Sequence, residues 1–273
     1  MKHLQVSFLF LILFFPACLF AQTQEQVQMA NNPLAKANSI GFQNYYAPSL
    51  FGLPGQSVNT LMIRPVVVTP RLIVRATLPL MTVPTMKSAP LSGMGDINIF
   101  ATYVWFNPKS YTNFGIGPIV VLPSATDSIL GAGKYQLGAT AVLVQPLSKT
   151  VMVGSLITWQ ASVYSANKAA ETRPSTSLLN FQPFYIFQIG AGFTLKGTAV
   201  WMFDLTNGHY AIPLGFGVGK VMVSGKAIIS MGIEPQFTVL HYGIGQPEFQ
   251  LFAGLNIQFP AKGKQSAKSE TDK

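Results

Sequence analysis

The stretch FQLFAGLNIQF, from Phe249 to Phe259, decides the fold. Its odd-numbered positions are all apolar, and its even-numbered positions are mostly polar or small. Side chains alternate between the two faces of a strand, so the pattern predicts a β-strand with one apolar and one polar face. A soluble β-sandwich could contain such a strand. The same pattern recurs in nearly every other segment, however, behind an export signal, and the stretch ends on an aromatic residue, as last strands of outer-membrane barrels commonly do. We therefore predict a closed antiparallel transmembrane β-barrel that this strand seals.

The composition agrees with a membrane barrel. Of the 273 residues 49% are hydrophobic and only 10% are charged, well below the roughly 25% charged residues of soluble domains. After the N-terminus no uninterrupted apolar run reaches the roughly 18 residues that a membrane-spanning helix needs. The net charge of +9 is scattered apart from the lysines after Phe259. Because no basic stripe with interleaved aromatics is present, we do not expect nucleic-acid binding.

The first residues predict export. Residues 1–21 have the pattern of a secretory signal peptide, with Lys2 and His3 before an apolar core and Ala21 before the cleavage site. Two alternatives stay open: an N-terminal membrane anchor, and a lipoprotein signal that uses Cys18, although the residues before Cys18 fit that pattern poorly. Cleavage after Ala21 would leave a mature chain without cysteine and therefore without a disulfide.

The remaining chain divides into three predicted parts. Residues 22–39 form a periplasmic lead-in, residues 40–259 the barrel, and residues 260–273 a disordered basic tail. About twelve strands are predicted, with short periplasmic turns alternating with longer external loops; one missed or invented hairpin would make ten or fourteen. An even count places both termini on the periplasmic side. The predicted strands are 40–47, 58–67, 72–80, 94–106, 111–122, 134–145, 151–164, 176–187, 193–203, 209–221, 227–240 and 249–259.

The size of such a barrel predicts its interior. Eight strands fill their own lumen and 16 to 18 leave a water channel, so we expect a narrow lumen that is gated or plugged by side chains. Aromatic residues near strand ends are expected to form girdles at the two membrane interfaces. These residues are Tyr103, Trp105, Trp159, Tyr164, Trp201 and Tyr210.

Charged residues on the predicted lumen faces are the candidate site. They are Arg64, Arg75, Asp96, Lys196 and Glu234. Arg64 and Arg75 are about equally far from the Thr69-Pro70 turn, so antiparallel pairing would bring them side by side. Two interpretations stay open. The pair could attract an anionic solute and set selectivity, or it could belong to a salt-bridged plug with Asp96 or Glu234 as counter-ion.

No motif predicts catalysis, a cofactor or a metal. The mature chain has two histidines, His209 and His241, and neither has a cysteine or carboxylate at metal-ligand spacing. Gly-x-Ser-x-Gly is absent. The segments Gly215–Lys220 and Gly131–Lys134 resemble phosphate loops only superficially, because each lacks the first P-loop glycine and a Ser or Thr after the lysine. We expect these alternate glycines to face the lumen, where they permit strong curvature.

The order of local motifs resembles one known family, the outer-membrane barrels labelled "meta-pathway of phenol degradation" transporters, some of which are labelled neuromedin U. The similarity spans about Asn32 to Phe259 and implies passage of aromatic or other hydrophobic small molecules across the outer membrane, with no catalytic residue. The chain departs from the family at Ser128-Ile129, which puts a loop ion site in doubt, and in the tail after Phe259. The matching motifs are NPLA at 32–35, FQNY at 42–45, RPV at 64–66, RATLP at 75–79, GDI at 95–97, GIGP at 115–118, LPSATD at 122–127, LGAGK at 130–134, QPF at 182–184, PLGFG at 213–217 and GK at 219–220.

Two main functions follow from the sequence. The first is a passive outer-membrane channel for small hydrophobic or aromatic molecules, with the five charged residues lining its lumen. Its expected partners are outer-membrane lipid, a small-molecule solute, and the barrel-assembly machinery through the C-terminal strand. The alternative is a non-transporting barrel for adhesion or envelope structure, and an enzyme barrel is a weaker third. An apolar cavity that reaches a gap in the wall would favour the channel, whereas a lumen closed by paired charges would favour the structural barrel.

Overall fold

The structure is a computed structural model that describes residues 23–85, 89–106 and 112–260. The predicted signal peptide, the turn between the predicted strands 94–106 and 111–122, and residues 261–273 of the predicted tail lie outside the described residues. The described chain contains two short helices, α1 (Gln24–Asn31) and α2 (Lys168–Glu171). Within these residues no helix has the length and apolar character needed to cross a membrane.

The strands form one antiparallel sheet that closes on itself, because the first strand pairs with both the second and the last. They are β1 (Ala37–Leu50), β2 (Val58–Val68), β3 (Leu72–Val83), β4 (Leu91–Met94), β5 (Ile97–Phe106), β6 (Asn113–Leu122), β7 (Lys134–Pro146), β8 (Val151–Ser165), β9 (Ser177–Gly190), β10 (Phe193–Gly197), β11 (Trp201–Asp204), β12 (Tyr210–Gly215), β13 (Gly217–Ser224), β14 (Ala227–Tyr242) and β15 (Pro247–Pro260).

These segments amount to twelve barrel strands, because three strands are interrupted once along their length. β4 and β5 both pair with β3, β10 and β11 both pair with β9, and β12 and β13 both pair with β14. The prediction of a closed antiparallel barrel of twelve strands is confirmed. Several strands run beyond their predicted ends, β1 most of all, because backbone pairing continues where the alternation of side chains fades.

The two ends of the barrel differ in their connections. The turns 69–71, 147–150, 191–192 and 225–226 lie at one end, here called the short-turn end. The loops 51–57, 123–133 and 166–176 lie at the opposite end, here called the long-loop end. Ala37 pairs with Pro260, so both ends of the barrel chain lie at the short-turn end. The predicted alternation therefore holds, although the connections 205–209 and 243–246 at the long-loop end are also short.

The outer face of the barrel is apolar and its inner face is more polar. Ile157 and Phe237 are exposed on the outside, while their strand neighbours Thr158 and Gln236 are buried inside. In the closing strand, Phe259 is exposed and Gln258 is buried. The alternation predicted from the sequence therefore separates an outer surface from a lumen.

Aromatic rings contact one another on the outer face at both ends. At the short-turn end, Trp105 contacts Tyr103 and Phe114, with ring centroids 4.6 and 5.8 Å away. At the long-loop end, Tyr210 contacts Phe203 and Tyr242, each at 6.4 Å between centroids. These contacts lie where the sequence predicts aromatic girdles.

Candidate functional site: the barrel lumen

The lumen at the short-turn end is filled by apolar side chains. Leu34, which precedes β1, is almost fully buried there. The amide of Leu34 donates a hydrogen bond to the Asn32 side chain, 2.8 Å, which fixes the turn into the lumen. Residues of five strands surround Leu34 in one cluster: Ile73, Val104, Val142, Val144, Met152, Phe184 and Ile186. The alternation of apolar and polar residues in the sequence does not predict this layer, because near the short-turn end both faces of the strands are apolar.

Helix α1 lies over the same end of the barrel. Its buried residues Val27 and Ala30 pack against Val221 and Ile228 of the wall. The Gln28 side chain donates to the Lys149 carbonyl, 2.7 Å, on one side of the barrel. On another side the Gln258 side chain donates to the Ala30 carbonyl, 3.2 Å. The helix therefore covers the short-turn end with few polar contacts.

The sequence of the lead-in does not predict this helix, because it is polar and has little periodicity. One feature of the sequence does indicate the start of a helix. Thr23 and Gln26 form a capping box, in which the Thr23 hydroxyl accepts from the Gln26 amide and the Gln26 side chain accepts from the Thr23 amide. Such a pair three residues apart marks a helix N-terminus in a sequence.

Arg64 and Arg75 both lie in the lumen, immediately beyond the apolar layer. Val66 pairs with Arg75 across β2 and β3, so Arg64 is offset from Arg75 by two positions rather than directly opposite. The Arg64 guanidinium donates to the Gln43 side chain and to the Met62 sulfur. The Arg75 guanidinium lies over the Phe100 ring, 4.3 Å from its centroid.

Neither arginine is paired with a carboxylate among the described residues. Asp96 and Glu234, the two counter-ions that the sequence suggested, are both bound elsewhere. The Nε atoms of both arginines are shut off from solvent and have no hydrogen-bond partner in residues 23–85, 89–106 and 112–260. The structure therefore does not support the salt-bridged plug that was one of the two interpretations of the pair.

Glu234 is the centre of a different network. One carboxylate oxygen accepts from the Thr198 amide, 2.9 Å, and from the Gln236 side chain, 2.8 Å. The other oxygen accepts from the Thr198 hydroxyl, 2.8 Å. The Gln250 side chain donates to Gln236, 2.6 Å, and extends the network to β15. Glu234 is fully buried, and these bonds stabilise its charge there.

The network lies where the backbone ladder of the wall is incomplete. Pairing of β10 with β13 ends at Lys196 and Gly217, and pairing of β11 with β12 begins at Met202 and Ala211. Between these points the Thr198 amide bonds to Glu234 instead of to the neighbouring strand. A buried carboxylate therefore replaces part of the hydrogen bonding that the backbone would otherwise supply.

The glycines beside Glu234 explain why the segment Gly215–Lys220 is rich in glycine and so resembles a phosphate loop. A Cβ at Gly215 would come within 2.1 Å of a Glu234 carboxylate oxygen, and one at Gly217 within 2.7 Å of the Glu234 Cβ. Both glycines face the lumen, as predicted, and they make room for this side chain. Lys196 lies near enough to Glu234 for their charges to interact, but the direct partners of the carboxylate are Thr198 and Gln236.

Asp96 anchors a loop at the long-loop end. Its carboxylate accepts from the amides of Ala125, 3.1 Å, and Ala132, 2.7 Å, in the loop between β6 and β7. A Cβ at Gly131 would lie 2.4 Å from the same carboxylate, which explains one glycine of the second motif that resembles a phosphate loop. Asp96 interrupts its own strand to make these bonds.

The histidines take part in ring contacts at the long-loop end. His241 stacks on Phe51, with ring centroids 3.4 Å apart, and His209 contacts Tyr242 at 5.8 Å. A bulge in β14 between Thr238 and Leu240 changes the register with β12. In the described part of the chain no group of three or more His, Cys, Asp or Glu side chains could hold a metal ion.

The fold is similar to solved outer-membrane channels. An outer membrane channel from Pseudomonas putida F1 superposes with a TM-score of 0.60 at 14% identity, over 83% of this chain and 97% of that chain. The NanC porin superposes with a TM-score of 0.54 at 11% identity, over 82% of this chain and all of that chain. No protein-family model matches the sequence, and no curated protein is similar to it in sequence. The chain is thus an all-β closed barrel of twelve antiparallel strands that resembles outer-membrane channels.

The network around Glu234 predicts a loss of stability in Glu234→Gln. The amide puts an N–H₂ group against donors, so we expect a free energy of unfolding lower by about 2–3 kcal/mol. Urea unfolding in detergent micelles, followed by tryptophan fluorescence, measures the change. Glu248→Gln, at an exposed glutamate, is the matched control. Equal unfolding midpoints for the two variants would show that Glu234 does not stabilise the wall.

The bonds of Asp96 predict a looser loop in Asp96→Asn. Asn keeps one acceptor oxygen, so one of the two loop amides loses its acceptor, and hydrogen exchange of that amide, at Ala125 or Ala132, should accelerate by roughly tenfold. Mass spectrometry of exchanged peptides from residues 123–133 gives the rate. Asp127→Asn is the control, because within the described part of the chain the Asp127 carboxylate accepts from its near neighbours Ser128 and Ile129 alone. Unchanged exchange in Asp96→Asn would contradict the anchoring role.

Proposed function

We propose that the protein is an outer-membrane channel for the passive passage of small hydrophobic or aromatic molecules. The observation that carries this proposal is the apolar layer around Leu34. The layer is completed by a residue that precedes β1, so the lumen can open without breaking the wall. Small inorganic ions and strongly polar solutes would lose most of their hydration in such a layer, whereas a solute with a large apolar surface would lose less.

The proposed orientation follows from the two ends of the barrel. The short-turn end would face the periplasm and the long-loop end the exterior, as in outer-membrane barrels generally. The exposed apolar face would then contact lipid, and the aromatic contacts at both ends would lie at its interfaces. A membrane is also the environment in which full backbone pairing by closure is required.

Helix α1, which covers the short-turn end, is held to the barrel wall by few hydrogen bonds. Among the described residues, the hydrogen bonds that join helix α1 to the barrel wall are those of Gln28 and Gln258. With so few hydrogen bonds, the covered state depends mainly on the apolar packing of Val27, Ala30 and Leu34, and the open state is expected as a minor population whose size depends on that packing. The proposed passage of solute takes place in that open state.

Two finer assignments belong to this proposal. The order of motifs supports kinship with the barrels labelled "meta-pathway of phenol degradation" transporters. The terminal strand β15, which ends near an exposed Phe259, supports recognition by the barrel-assembly machinery. The incomplete ladder beside Glu234 also favours a channel over a sealed barrel, since it leaves part of the wall to side-chain bonds.

A non-transporting barrel is the second candidate function. The filled and covered short-turn end favours it, because a permanently closed lumen would pass nothing. The two functions differ in whether Leu34 and α1 ever leave their positions.

The channel function predicts that loosening the apolar layer increases permeability. In Leu34→Gly the loss of a buried side chain costs roughly 2–5 kcal/mol of packing, so the open population should rise more than tenfold. Influx of a fluorescent neutral aromatic compound into proteoliposomes measures the change, beside a variant that lacks residues 23–35. Leu147→Gly is the control, because Leu147 is exposed in a turn at the same end.

Heat-modifiable migration in gels establishes that each variant forms a barrel. Faster influx through Leu34→Gly and the truncated variant than through Leu147→Gly would support the channel. Folded barrels with no influx in either variant would instead leave a structural role.

A further inference from the structure

We propose that Arg64 and Arg75 form a lumenal subsite that binds the carboxylate of a small aromatic acid. This inference rests on the proposed channel function and specifies its solute as an amphipathic anion. The subsite lies on β2 and β3, with Tyr45 of β1 and Phe100 of β5 beside it.

The charge of the subsite is not balanced by the described residues. Two guanidinium groups lie on neighbouring strands, and the lumenal carboxylates Asp96 and Glu234 are occupied by other donors. Like charges that are close together and partly removed from water destabilise a fold unless an opposite charge binds. A singly charged anion between the two arginines would supply that charge.

Unpaired hydrogen-bonding groups concentrate around the same two arginines. The partnerless buried atoms include Arg64 Nε, Arg75 Nε, Thr77 Oγ1 and Thr102 Oγ1. Thr77 follows Arg75 on the same strand face, and Thr102 pairs with Ile73 two positions before Arg75. All four groups can donate a hydrogen bond, and a carboxylate only accepts. The donors and the ligand chemistry are therefore complementary.

Aromatic rings flank the cations. The Arg75 guanidinium lies 4.3 Å from the Phe100 ring centroid. Tyr45 lies beside Arg64 and contacts Phe252, with ring centroids 5.0 Å apart. Rings of this kind favour an aromatic ligand through offset or edge-on contacts. An aliphatic carboxylate of the same charge would lack these contacts.

The subsite also borders the apolar layer. Val66 and Val68 follow Arg64 on the same strand face and pack against the cluster around Leu34, and Ile73 belongs to that cluster. A ligand whose carboxylate contacts the arginines can therefore place its ring against apolar side chains. This arrangement fits a solute with one anionic and one hydrophobic end.

Calorimetric titration of the folded full-length barrel in detergent with benzoate tests the subsite. Benzamide is the neutral analogue, and acetate is the carboxylate without a ring. We expect saturable benzoate binding that is at least roughly tenfold tighter than binding of either analogue, since hydrogen bonds to a charged acceptor are the strong ones. Binding is measured without transport, so its result is independent of the influx experiment.

The variants separate the subsite from general charge effects. Arg64→Gln/Arg75→Gln should weaken benzoate binding by roughly tenfold or more, while Arg71→Gln, at an exposed arginine in the neighbouring turn, should leave it unchanged. Thr77→Val keeps both charges and should weaken binding severalfold, which provides a test should the double variant not fold. Absent benzoate binding, equal binding of benzamide or acetate, or equal loss in Arg71→Gln would each overturn the proposal.

Discussion

Closure of the sheet is the constraint on which the rest of the structure depends. β1 pairs with β2 on one side and with β15 on the other, so the sheet formed by the described residues has no edge strand. In hydrocarbon this is the way in which a sheet satisfies its backbone donors and acceptors. Closure also separates the alternating side chains, because one face of the sheet becomes the outer surface and the other lines the lumen.

Where backbone pairing is incomplete, a buried side chain takes over. Glu234 bonds to the amide and the hydroxyl of Thr198 between the two interrupted strands. Gly215 and Gly217 have no Cβ that would collide with it. A buried carboxylate is costly unless its oxygens are bonded, and here each oxygen has a partner. The Glu234 carboxylate is thus bonded to groups of the barrel wall and does not pair with the arginines.

The lumen is layered along the barrel axis. Leu34 and its neighbours form an apolar layer at the short-turn end, and Arg64 and Arg75 begin a polar layer beyond it. The unmatched cations, the unpaired donors and the flanking rings lie at the boundary between these layers. Helix α1 and Leu34 belong to the segment before β1, so the proposed opening would not require remodelling of the wall.

The sequence by itself determined the two faces of the strands and a closed barrel of about twelve strands, since side chains in a strand alternate with a period of two whatever their neighbours are. It also placed Arg64, Arg75 and Glu234 on the lumen side. Only the tertiary structure decided their partners, because register and closure set which lumenal side chains meet across strands. The sequence allows a salt-bridged alternative, yet in the structure Glu234 contacts Thr198 and Asp96 contacts a loop. The apolar layer around Leu34 is not predictable from the sequence for the same reason, because Leu34 joins it only when five distant strands surround this residue.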